Sequence, residues 1–162
     1  MEKWQYYGLF LTKDSRIKLL DFLRSDNKCP IQVTFAIYYI MLSKINRVYL
    51  DHCTLLHIAQ YDKDSLTGNL IKSRLDLALK DNRVKANLNI PHIGISNKAA
   101  AFKVSLQDSE FDMCSLTLLC ANKIPHITIC TFNDGKPVDS NYITKWYDLN
   151  EPIEIETTLK RV

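Results

Sequence analysis

The chain has 162 residues, of which 46% are hydrophobic and 24% charged, with a formal net charge of +3. That length suits a single domain, residues 1–162, with a core of its own. The charge is too small and too scattered for a groove that follows a long nucleic acid, because no run of five Lys or Arg occurs.

Trp4 to Leu11 is aromatic and aliphatic and predicts a first strand. Asp14 or Ser15 then caps a helix running to Leu23, with Ile17, Leu20 and Phe22-Leu23 as its apolar stripe. Residues 31 to 45 fit helix or strand equally. Within them Phe35 to Leu42 is the most apolar stretch, yet far shorter than the ~20 residues a bilayer span needs. Arg47 to Ala59 reads as a strand. Asp64 or Ser65 opens an amphipathic helix that carries Leu66, Leu70, Leu75, Leu77 and Leu79. Strands follow at 83–96, 99–106, 114–121 and 125–132. Asn133 to Asn141 is a polar loop with turn chemistry. A short helix near 140–147 and a strand from Ile153 to Leu159 end the chain. Strands dominate and at least two helices cover them, so the class is α+β.

The five cysteines, Cys29, Cys53, Cys114, Cys120 and Cys130, are odd in number and follow no metal-ligand spacing. Several lie in apolar runs, where a free thiol packs as a small hydrophobe, which suits a reducing compartment. The start, Met1-Glu2-Lys3-Trp4, lacks the apolar core of a signal peptide. A cytoplasmic protein with no membrane partner is the expectation.

Two tripeptides carry the chemistry. His52-Cys53-Thr54 and His126-Ile127-Thr128 are each followed by an aliphatic residue and each sit in a strand-like apolar setting. With four histidines and ten threonines in the chain, about 0.25 such spacings are expected by chance. Alternate side chains of a strand share a face, so each motif presents an imidazole beside a hydroxyl. Phosphodiester cleavage needs a base for the attacking oxygen and an acid for the leaving one. Histidine titrates near pH ~6.5 and serves either role. Thr54 and Thr128 would donate to the non-bridging oxygens, where transition-state charge gathers. No metal and no cofactor is called for, and by strand parity Asp51 points away from His52.

These residues resemble the two-histidine (2H, LigT-like) phosphoesterase superfamily. The resemblance implies a bilobal fold with two antiparallel sheets lining a central cleft, helices outside, and one motif on each lobe. Tyr6 to Leu11 and Gly135 to Asn141 further resemble the viral cyclic-nucleotide phosphodiesterases of bacteriophages and avian poxviruses. That likeness implies a cyclic dinucleotide or oligonucleotide partner such as 2′,3′-cGAMP, and evasion of host innate immunity. Two other readings stand beside it: a phosphodiesterase of 2′-5′ oligoadenylate or of RNA 2′,3′-cyclic phosphate ends, and a protein that sequesters nucleotides without turnover.

Four further residues are candidates for substrate binding. Tyr7 would stack on a base or touch a phosphate, since only one of Tyr6 and Tyr7 can face the site. Lys136 would meet a phosphate, Asn141 (with Trp146) a base, and Glu154 a histidine or a base edge. His57 lies at odd spacing from His52 and is expected to face away. His92, without a threonine two positions on, is expected to be a bystander.

Overall fold

A computed structural model describes residues 3–25, 31–111 and 114–162. In chain order its elements are β1 (Tyr6–Leu11), α1 (Lys13–Arg24), α2 (Ile31–Leu42), β2 (Arg47–Val48), β3 (His52–His57), α3 (Leu66–Lys80), β4 (Lys85–Ile95), β5 (Ala99–Phe111), β6 (Cys114–Ser115), β7 (His126–Thr131) and β8 (Trp146–Arg161). Short 3-10 turns lie at Ile58–Gln60, Leu116–Leu118 and Pro137–Tyr142.

The strands form one sheet in the order β2-β7-β3-β1-β8-β4-β5-β6, and β5 also pairs with β7. That extra ladder joins Ala99 to Thr131 and Lys103 to His126, and it closes six strands into an antiparallel barrel. The expected pair of sheets lining a cleft, with helices outside, is therefore corrected to a closed six-stranded barrel with few helices. The cause is long-range. Ala99, Ala100 and Ala101 of β5 pair with Thr131, Cys130 and Thr128 of β7 far along the chain, a pairing that no local sequence pattern encodes.

Local chemistry explains the helices. Thr12, rather than Asp14 or Ser15, caps α1 by accepting the Ser15 backbone N–H at 3.2 Å. Ser15, Leu19, Phe22 and Leu23 are its buried side chains, at helical spacing. Ser65 caps α3 through the Gly68 N–H at 3.3 Å. The buried face of α3 is Ile71, Leu75 and Ala78, whereas the expected Leu66, Leu70 and Leu77 are exposed. The 31–45 ambiguity resolves as the helix α2. The expected strand at 114–121 is two strand residues and a 3-10 turn, the 140–147 helix is the 3-10 turn Pro137–Tyr142, and the last strand starts at Trp146.

The core joins these helices to one face of the strands. Tyr7 and Leu9 of β1, Cys53 and Leu55 of β3, Phe102 of β5 and Ile127 and Ile129 of β7 are all fully buried. The Phe22 ring lies 6.0 Å from that of Phe102, and the Tyr7 hydroxyl donates to the Asp76 carboxylate of α3. Every second strand residue is thereby committed to the core, which leaves its neighbours to the opposite face. Among the described residues no helix is long and apolar enough to cross a membrane.

Candidate active site

The two motif strands are neighbours in the barrel, joined where Cys53 stands opposite Ile127. Both of these residues are fully buried on the core side. Their flanking residues His52, Thr54, His126 and Thr128 therefore share the other face, and all four line one cavity of about 530 Å³. The structure places the two imidazoles and two hydroxyls on one cavity, with the strands side by side rather than face to face from separate lobes.

A bulge places His52. Leu50 donates its N–H to the Thr128 carbonyl at 2.9 Å, continuing the β2–β7 register, whereas Cys53 pairs with Ile127. Asp51 and His52 are extra residues in that ladder, and Leu50 takes a left-handed backbone with φ 47°. Alternation fails there. Asp51 consequently does not point away from His52: its Oδ2 lies 3.3 Å from His52 Nδ1, and it lines the cavity. A second irregularity flips His57. Leu55 and Leu56 are consecutively buried, with Tyr7 opposite Leu56 but Gly8 opposite Thr54. The extra residue turns His57 onto the cavity wall, where its Nδ1 accepts the Ala59 N–H at 3.0 Å.

Both motif imidazoles are held at Nδ1 by an acceptor. His126 Nδ1 donates to the Ile124 carbonyl at 2.6 Å, and His52 Nδ1 to the Asp51 carboxylate. Each Nε2 is thereby left for a substrate. Burial pushes both pKa values below the ordinary histidine value. For His52 the Asp51 carboxylate opposes that shift through its hydrogen bond and its charge. For His126 the Ile124 carbonyl opposes it, while the charge of nearby His52 lowers it further. The Thr128 hydroxyl lies 2.9 Å from that of Ser140, which is fully buried in the 3-10 turn above it.

Two aromatic rings pack against His52. The Tyr6 ring stacks at 4.8 Å with 19° between planes, and the Phe10 ring at 5.0 Å with 26°. Gly8 sits between them in the strand. A Cβ there would stand 3.3 Å from both His52 Cδ2 and Tyr6 Cε2, so its absence lets the rings close on one another.

The candidate binding residues divide. Asn141 lines the cavity. Tyr7 does not: it is fully buried against α3 and Trp4, and of the pair it is Tyr6 that lines the cavity. Lys136 is exposed at the head of the 3-10 turn, where its backbone N–H donates to Asp139 at 2.7 Å, and it is not part of the cavity lining. Glu154 is exposed on β8, opposite Asn89 in register and away from the cavity. Trp146 covers Gly94, where a Cβ would come within 2.6 Å of its ring. His92 Nε2 lies 2.7 Å from Asp148 Oδ1, outside the cavity lining.

Sequence reasoning missed Tyr6, Asp51, His57 and Ser140. A signal existed for Tyr6, because Tyr7 shares its strand parity with Leu9 and Leu11, the most apolar set. Among the described residues no group of three or more His, Cys, Asp or Glu side chains is placed to hold a metal ion.

Comparison with known proteins gives a family and a fold. The family model described as fungal tRNA ligase phosphodiesterase domain matches residues 1–161. The crystal structure of a fungal RNA kinase superposes with a TM-score of 0.59 and 19% identity, covering 97% of this chain and 42% of that one. At that identity the likeness is one of fold, and this chain spans less than half of that longer one. No curated protein matches the chain.

Proposed function

Because this chain belongs to the fungal tRNA ligase phosphodiesterase domain family, we propose that it cleaves nucleotide phosphodiesters by acid–base catalysis between His126 and His52. The observation that carries this reading is the convergence of both imidazoles and both threonine hydroxyls on one cavity. In this reading His126 is the base. Its Nδ1–H is committed to a neutral carbonyl, so the neutral ring offers the Nε2 lone pair to the proton of an attacking hydroxyl. His52 is the acid, since the Asp51 carboxylate favours its protonated form. The attacking oxygen bonds to phosphorus, the bond to the departing oxygen breaks, and His52 gives that oxygen its proton. One proton is taken and one returned. The developing charge on the non-bridging oxygens falls to the Thr54 and Thr128 hydroxyls, with Ser140 orienting Thr128. These steps call on no metal ion.

For the substrate, our leading reading is a cyclic dinucleotide or oligonucleotide immune messenger such as 2′,3′-cGAMP, whose destruction would blunt host innate immunity. It is supported by the motif resemblance and by a cavity well above the ~300 Å³ lower bound of small-molecule sites. His126 would then activate a ribose hydroxyl next to the linkage and His52 would protonate the departing 5′-oxygen. The family membership favours a second reading, hydrolysis of an RNA 2′,3′-cyclic phosphate end by water.

The test is incubation of the pure protein in EDTA with 2′,3′-cGAMP, 3′,3′-cGAMP, 2′-5′ oligoadenylate and RNA ending in a 2′,3′-cyclic phosphate, resolved by chromatography. Turnover of cGAMP supports the first reading, and turnover of the RNA end alone supports the second. Cleavage confined to oligoadenylate defeats both. Binding without any turnover identifies a sequestering protein.

A further inference from the structure

The wall of the site carries an unusual charge pattern for a pocket that holds a phosphate. Of the described residues lining it, the one with a fixed charge is Asp51, and it is negative. The other ionisable groups there are Tyr6, Tyr49, His52, His57 and His126. The chain has 21 Lys and Arg, but those nearest in register are turned to other work. Lys103, opposite His126 on β5, has its Nζ over the Trp146 ring at 5.7 Å. Lys160, opposite Gly8 on β8, sits over the Phe10 ring at 5.4 Å and is not part of the cavity lining. Besides the Thr54 and Thr128 hydroxyls, the remaining polar lining among the described residues is carboxamide: Gln5, Gln60, Asn122 and Asn141. The side chains of Gln5, Asn122 and Asn141 have no hydrogen-bond partner among the described residues, and Gln60 spends its Oε1 on the His57 N–H at 3.2 Å.

We propose that this cavity is built to hold a phosphodiester and to reject the phosphomonoester that its hydrolysis yields, recognising the attached nucleoside through neutral amides. This rests on the phosphodiesterase reading above. A diester carries one negative charge. A monoester carries nearly two at neutral pH, because its second ionisation lies near pH ~6. Two hydroxyls and one imidazolium balance the first charge. Among the described lining residues the second charge meets Asp51 and no ammonium or guanidinium, in a partly desolvated site where Coulomb repulsion is weakly screened. Where water is the attacking group, product therefore leaves because the reaction itself adds the charge that the wall disfavours. Attack by a ribose hydroxyl gives a 2′,3′-cyclic diester, which gains that charge only when water opens it in a second step. Free carboxamides pair with base edges in two-point fashion, as they do with adenine, and their neutrality leaves this selection intact.

The experiment measures binding by calorimetry to the full chain carrying His126→Ala, which holds ligand without consuming it. The ligands are 2′,3′-cGAMP and 2′,3′-cyclic AMP, each beside the monoester formed by opening its phosphate. The diester should bind about tenfold or more tightly than its monoester at pH 7.5, and the gap should narrow at pH 5 as the monoester gains a proton. Asp51→Asn should narrow the gap at pH 7.5, and Val138→Lys, which sets an ammonium at the wall, should narrow or invert it. A monoester that binds the His126→Ala protein as tightly as its diester at pH 7.5 overturns the proposal and leaves the phosphodiesterase reading standing. Failure of both diesters to bind removes that reading, and the proposal with it.

Discussion

Thr128 has two separable duties, and Thr128→Val pulls them apart. Valine keeps the shape and removes the hydroxyl. The Ser140 hydroxyl, fully buried and 2.9 Å from Thr128 Oγ1, then loses its partner. A buried hydroxyl left unpaired costs about 1–3 kcal/mol, which lowers Tm by roughly 2–4 °C per kcal/mol in a chain of this length. Loss of a transition-state donor separately slows kcat by about 10²–10³. Thr54 has no such hydroxyl partner among the described residues, so Thr54→Val should slow kcat similarly with little change in Tm. The double variant Thr128→Val/Ser140→Ala removes both halves of the hydroxyl pair. It should recover most of the lost Tm and none of the lost rate. Differential scanning fluorimetry and steady-state kinetics on the four proteins read both quantities. If the double variant is no more stable than Thr128→Val, or if Thr128→Val turns over at the native rate, the duties assigned to this hydroxyl are wrong.

Other consequences can be checked as directly. Replacing His52 or His126 by Ala should abolish turnover while the folded spectrum is retained; near-normal rates in either variant would dismiss the acid–base pair. Both histidines are pushed below their unfolded value near pH ~6.5, so one charged and one neutral ring coexist on the acid side of that value, and kcat/KM should peak below it. The same shifts mean the unfolded chain binds more protons there, so stability from these groups is complete above pH ~6.5 and falls as pH drops through the folded values. A pH–rate profile peaking above pH ~7.5 would contradict this. Tyr7→Phe should cost about 1.5–3 kcal/mol in urea unfolding by leaving Asp76 one donor short, with kcat/KM unchanged, whereas Tyr6→Ala should lower kcat/KM. Gly94→Ala sets a Cβ within 2.6 Å of Trp146 and 2.7 Å of Ile143, so it should destabilise by about 1–3 kcal/mol and disturb the wall that carries Asn141.

The motifs were legible because a two-residue period needs only local order. His52 and Thr54, like His126 and Thr128, share a face wherever a strand runs straight for three residues, whatever the topology. The neighbours of those motifs were not legible, since the strands stop being regular just beyond them. Leu50 with its left-handed backbone turns Asp51 toward His52, and the doubled burial at Leu55 and Leu56 turns His57. Parity counted across either point gives the wrong face. Barrel closure escaped for another reason. The β5–β7 ladder links segments far apart in sequence, and the alanines at its end have no periodic signature. Helix α1 was readable from its apolar spacing, while α2, apolar nearly all round, offered no period to distinguish helix from strand.

The two motif strands share only the meeting of Cys53 and Ile127, whereas β4, β5 and β8 are laced along most of their lengths. The spacing between the imidazoles is thus fixed less by the seam they straddle than by the staves on either side of it. A bulky ligand pressing into that seam has few backbone bonds to stretch. Backbone amides around residue 53 should accordingly be the first of the barrel to trade their protons for deuterium, and the ones most slowed once a nucleotide is seated.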